Sequence, residues 1–174
     1  MAVAWFAATL SASGQQAPFN EREVKAVFLF NFVHFVEWPA AAFDNPQSPV
    51  VICVLGEDPF KELLDEVVNG ESVGSRPLLV ERFRRLEDKR DCHVLFISTS
   101  ETPNQARILA ALRDVPTLTV GETADFATRG GLIRFLTEQN RVRLEVNVAA
   151  AKAAGLTISS NLLRSARIVG EGGR

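Results

Sequence analysis

VKAVFLFNFVHFVEWP, residues 24–39, packs four phenylalanines into eight positions: Phe28, Phe30, Phe32 and Phe35. Asn31, His34 and Glu37 recur inside it every third residue. At about 100° per residue these three polar groups share about a third of a helix circumference, and the rest is apolar. Asn20 precedes the stretch as a cap, Glu23 completes a capping-box-like start, and Pro39 closes it. The pattern predicts one helix ending at Pro39. It is too short, and too charged near its ends, to span a bilayer. It reads instead as a buried helix whose polar stripe either finds partners or faces water.

Downstream, residues 50–56 (VVICVLG) form a continuous β-branched run, as a strand covered on both faces requires. Residues 76–83, 92–98 and 116–121 read as three more strands. Asp58-Pro59 and Thr102-Pro103 each carry a cap followed by a proline suited to the first helical position, so helices are predicted after the first and third strands. Residues 130–147 alternate around TEQN as an antiparallel hairpin with one wetter face. Asn147 caps a helix that Gly155 stops, and SSNLLRSARIV reads as a last amphipathic helix. The expected fold is a single α/β domain over 20–169. Its mostly parallel sheet has order 2-1-3-4, flanked by helices, with the antiparallel hairpin at one edge.

The 174 residues are 47% apolar and carry a net charge of −2, enough for one well-buried domain and without the clustered basic face that nucleic acid demands. The acids inside ERFRRLEDKR, 81–90, make that cluster a solvated face. The opening MAVAWFAATL followed by SASGQQA has the apolar core and small-residue zone of a signal peptide, although no Lys or Arg precedes the run. Residues 1–17 are therefore read as an export signal or a remnant of one, and 170–174 as a loose tail.

Signatures of catalysis are thin. The chain has no G-x-S-x-G, P-loop, G-x-G-x-x-G or H-E-x-x-H, and its two histidines lie in core-like segments. No catalytic residue, metal site or cofactor is expected. Glu57, Asp58, Ser98, Thr99 and Ser100 fall at the ends of the first and third strands, where such sheets place small ligands, or they merely cap helices and turns. Cys53 and Cys92 lie in two buried runs, better placed for a structural disulfide than for a reactive thiol pair. Gly130-Gly131 marks a tight turn or close backbone approach. Arg143, Glu145 and Asn147 share one side of a strand. That side is either an exposed recognition strip, or one where Arg143 pairs with Glu37 or with Glu145 and Asn147 caps the next helix.

The blocks VKAVFLFNFVHFVEWP, VVICVLGEDPF, CHVLFIS and GGLIRFLTEQNRVRLEVNVAAAKAAGLTISSNLLRSAR together resemble the YfiR-like (DUF4154) family of periplasmic regulatory proteins. In that likeness Asn31, Glu37, Trp38, Pro39, Gly130 and Gly131 are structural landmarks. Trp38 is expected to pack against the sheet or a helix, and Glu37 to bond an arginine or backbone amides. The resemblance implies binding rather than catalysis. Such proteins form dimers and hold an inner-membrane diguanylate cyclase inactive through its periplasmic sensor domain, which limits cyclic-di-GMP and biofilm formation. Cys53 and Cys92 match the family's widely spaced pair. A second, closely spaced pair is absent from 130–147, and with it any redox switching that relies on it. Arg143, Glu145 and Asn147 are the expected partner-binding residues.

Overall fold

The computed structural model describes residues 20–88 and 91–170; the expected export signal lies outside them. In chain order the elements are α1 (Glu21–Phe35), β1 (Val36–Glu37), β2 (Val50–Leu55), α2 (Glu62–Val68), β3 (Ser72–Val73), β4 (Arg76–Phe83), β5 (Val94–Ile97), α3 (Gln105–Leu112), β6 (Leu118–Gly121), β7 (Ile133–Glu138), β8 (Arg141–Asn147), α4 (Val148–Ala153), β9 (Thr157–Ile158), α5 (Ser160–Arg164) and β10 (Arg167–Val169).

The main sheet runs β10-β8-β7-β6-β5-β2-β4-β3. Its centre, β4-β2-β5-β6, is parallel and has the expected order, and the β7–β8 hairpin is antiparallel beside it. β2 is buried at every position, which is why its sequence is an unbroken apolar run. Alternate residues feed two cores. Ile52, Val54, Phe96, Ile133, Phe135 and Val146 point to the side covered by α1, α2, α4 and α5. Val51, Cys53, Leu55, Leu95 and Ile97 point to the side covered by α3. The first core is aromatic at its centre, with Phe32 stacked on Phe135 at 5.9 Å and Phe60 edge-on to Phe96 at 4.8 Å.

The stretch that opens the sequence is helical only as far as Phe35. Asn20 does cap it, its side chain accepting from the Glu23 amide at 3.3 Å. Val36 and Glu37 leave the helix to pair antiparallel with Ile158 and Thr157. Two causes act together: Trp38 precedes a proline and is barred from the helical region, and Ser159 donates its amide to the Phe35 carbonyl at 2.8 Å. The polar stripe faces water, with Asn31 half-buried and His34 and Glu37 exposed.

The C-terminus differs from expectation in the same way. α5 is a single short helix capped by Ser159, and Arg167–Val169 then adds to β8 as a parallel strand. β8 is therefore interior to the sheet over Glu145–Asn147. Of the two predicted helix starts, Asp58 instead makes a turn to the Phe60 amide, 2.7 Å, and α2 begins at Glu62. Thr99–Asn104 forms a 3-10 turn, capped by Ser98, ahead of α3.

Candidate functional site: the polar face of the C-terminal hairpin

Gln139 and Asn140 both adopt positive φ, 50° and 55°, and make a two-residue turn closed by Glu138 and Arg141. That turn sets the register of everything behind it. Arg134 falls opposite Glu145, and β10 brings Arg167 opposite Glu145 from the other side. The result is an Arg–Glu–Arg ladder across three strands: Arg134 Nη1 lies 2.8 Å from Glu145 Oε2, and Arg167 Nη1 lies 3.0 Å from Glu145 Oε1. Arg167 also reaches Glu138 at 3.4 Å. The Glu145 side chain is 10% exposed and that of Arg167 59%, so one buried carboxylate holds one sunken and one solvent-facing guanidinium. Arg134 Nε is buried with no hydrogen-bond partner among the described residues, so Glu145 is this guanidinium's main compensation.

Arg143, Glu145 and Asn147 do share one side of β8, but they do different things. Arg143 is exposed. Glu145 is tied to Arg134 and Arg167, so the expected pairing with Arg143 is corrected, as is that of Glu37 with Arg143: both of the latter are exposed. Asn147 is buried and caps α4, accepting from the Ala150 amide at 2.9 Å while its side-chain amide donates to the Ala127 carbonyl at 2.7 Å. It thereby anchors the 122–131 segment to the hairpin. That segment carries Phe126, fully buried, whose ring lies against Gly131. A Cβ at Gly131 would overlap the ring, and Gly130 turns the chain with φ 101°.

Along the side of β7 away from β8 lies a second ionic group. Lys25 of α1 is buried and bonded to both Glu21 and Glu122. Burial works against its charge, yet the bonds from Glu122 and Glu21 outweigh burial and hold the ammonium above its ordinary value. The same ammonium holds the Glu21 carboxyl below the usual range, with the Thr137 hydroxyl contributing.

The remaining landmarks are scaffold. Cys53 and Cys92 are joined in a disulfide with Cα atoms 5.9 Å apart, both buried in the core beneath α3. Trp38 donates its indole N–H to the His93 carbonyl at 3.2 Å and stands edge-on to the His93 ring. His93 is buried and accepts from the Val51 amide at 3.1 Å, with Nε2 facing the Ala42 carbonyl. The residues at the ends of the first and third strands cap turns and bond their neighbours. The Glu57 amide donates to Ser100 Oγ at 2.9 Å, and the space beside Gly56, φ 92°, is taken by Ser100 itself. Ser98 caps the 3-10 turn, and Asp58 pairs with Arg82 at 2.6 Å.

Sequence reasoning missed Arg134, Arg167 and Lys25. Arg134 was within reach. Reading TEQN as a four-residue turn sets Arg134 against Arg143, whereas a left-handed Gln139-Asn140 pair sets it against Glu145. Arg167 and Lys25 meet their partners only through tertiary pairing.

A parallel-centred α/β sheet with a charged C-terminal hairpin defines the class by fold. The solved ABC domain in complex with L-Trp from Streptococcus pneumonia is similar, with TM-score 0.52 and 12% identity over 69% of this chain; the match spans 55% of that chain. At that identity the likeness shows the fold alone. No curated protein is a significant match. The DUF4154 family, described as YfiR/HmsC-like, matches residues 22–167, and the chain belongs to it. Membership supports a periplasmic regulatory role in general terms. No helix among the described residues is long and apolar enough to cross a membrane.

Proposed function

We propose that this chain is an exported regulatory protein that binds the periplasmic domain of a membrane-bound diguanylate cyclase and holds the enzyme inactive, limiting cyclic-di-GMP and biofilm formation. The family match over residues 22–167 carries this reading. One feature of the fold supports binding through a surface: the hairpin displays charge on a three-strand support.

The partner-facing surface in this reading is the polar face of β8. Arg143 is its exposed contact, Glu145 orients Arg134 and Arg167 beside it, and Asn147 fixes the helix that follows. The Cys53–Cys92 bridge stiffens the sheet behind that surface, and a homodimer is part of the same reading.

The experiment is capture. Immobilised mature chain is mixed with detergent-solubilised membranes from the source cells, and retained proteins are identified and assayed. A diguanylate cyclase with a periplasmic domain should be retained by the wild type, and retained at least about tenfold less by Arg143→Glu, since reversing a rim charge acts on encounter and recognition. Retention of no such cyclase contradicts the proposal.

A further inference from the structure

β7 outruns its neighbour. β6 ends at Gly121, opposite Arg134, while β7 continues to Glu138. Along Phe135–Glu138, β7 has β8 on one side and no strand on the other among the described residues. The closing pair of a two-residue hairpin exchanges both main-chain hydrogen bonds, and the pairs alternate from there. Leu136 therefore turns its main chain inward to Arg143, while Phe135 and Thr137 turn theirs outward; the Gly121–Arg134 pairing with β6 takes the Phe135 N–H, which leaves the Phe135 carbonyl and both groups of Thr137 beyond β6. Thr137 is exposed, and no described strand pairs with its outward N–H and C=O. An open strand edge of this kind is a template for another strand.

Beside the edge lies a notch of about 530 Å³. Its walls are the edge itself, Glu21 and Lys25 of α1, and Glu122 just past β6. The charges there do not cancel. Three carboxylates line it, Glu21, Glu122 and Glu138, against two cations, Lys25 and Arg134, while Arg141 and Arg143 stand on β8, across β7 from the notch. The notch keeps a negative excess next to unpaired backbone groups.

Building on the partner-binding role above, we propose that the β7 edge is a strand-addition site for an extended, lysine- or arginine-bearing segment of the partner protein. Main-chain bonds to the Phe135 carbonyl and to the N–H and C=O of Thr137 hold the segment in line with the sheet, and its basic side chains meet Glu21 and Glu122. The edge is short, so charge decides which segments stay.

The test uses isotope-labelled, disulfide-intact chain, amide exchange and resonance shifts, with the probe peptide Lys-Val-Lys-Val-Lys, its Glu counterpart, and a version of the Lys peptide methylated at alternate amides. In the free protein the Thr137 amide should exchange about 100-fold faster than that of Leu136. The Lys peptide should shift Phe135–Glu138 and slow Thr137 exchange. The Glu peptide and the methylated peptide should each bind at least about tenfold more weakly. Thr137→Pro removes the outward N–H without touching the β8 pairing and should lose binding, while Thr137→Ser, which keeps both the N–H and the hydroxyl beside Glu21, retains it. The methylated peptide gives the same answer from the ligand side if the proline variant is destabilised. Slow Thr137 exchange in the free protein overturns the proposal, because residues before Asn20 or a second copy then already cover the edge. Shifts elsewhere, no shifts at millimolar peptide, or undiminished binding by a folded Thr137→Pro also overturn it. Equal capture of the cyclase by wild type and Thr137→Pro overturns the edge and leaves the regulatory reading standing. Failure of the wild type to capture any cyclase contradicts that reading, while the peptide titration judges the edge by itself.

Discussion

Glu145 on β8 and Arg134 on β7 face each other across the hairpin, 2.8 Å from Oε2 to Nη1, and Glu145 is the only carboxylate bonded to Arg134 among the described residues. A side chain that sits among a row of charges in the sequence is thus the keystone of an ionic ladder rather than a free surface group.

Glu145→Lys should destabilise the fold. It leaves the sunken Arg134 guanidinium unpaired and adds a third cation between it and Arg167. Breaking one partner of a buried pair costs about 3–5 kcal/mol, and solvent around Arg167 places this case at the lower end. Denaturant unfolding checks it. A wild-type midpoint would mean that the ladder contributes nothing to stability.

Cys53 and Cys92 close a loop with a sequence separation of 39, which is worth about 4 kcal/mol in the chain-entropy account. Cys53→Ser/Cys92→Ser should lower stability by about that amount. Peptide mapping of unreduced protein should recover the linked pair, and two free thiols in fresh periplasmic protein would oppose the assignment.

Trp38→Ala and Trp38→Phe separate packing from hydrogen bonding. The indole is half-buried against His93, so alanine should cost about 3 kcal/mol. Phenylalanine keeps most of the contact and loses the bond to the His93 carbonyl, a cost of about 1 kcal/mol. Equal melting temperatures for the two variants would place Trp38 outside the scaffold.

The Lys25 cluster gives stability a defined pH dependence. Lys25 has its folded value raised above 10.5, so its contribution is complete below pH 10.5 and is lost as pH climbs through the folded value. Glu21 has its folded value lowered below 4.5, so its share is complete above pH 4.5 and is lost on acidification. The difference in melting temperature between wild type and Lys25→Met should be level from neutral to mildly alkaline pH and shrink at both extremes. A difference independent of pH would contradict the cluster.

What the sequence revealed, and what it hid, divides by range. The apolar runs of β2 and β5 had to be central strands, because full burial on two faces leaves no position for a polar residue. Asn20 and Asn147 were legible as caps because a cap is settled within three residues. The pairing of Val36–Glu37 with Thr157–Ile158, and that of Arg167–Val169 with β8, were not. Strands of two or three residues have no periodicity of their own, and distant neighbours impose their conformation. The hairpin register lay between these cases. It turned on whether Gln139 and Asn140 alone form the turn, and Glu145's partners followed from that choice. The disulfide was legible because both cysteines sit in runs whose order as neighbouring strands followed from the fold.

The central claim is that this chain restrains a diguanylate cyclase from the periplasmic side. Its most direct test is intracellular cyclic-di-GMP, quantified by mass spectrometry in cells lacking the chain, in cells with it restored, and in cells lacking both the chain and the captured cyclase. The account predicts a several-fold rise on loss of the chain, return to the starting level on restoration, and no rise when the cyclase is also absent. Cyclic-di-GMP that stays unchanged when the chain is removed would contradict it.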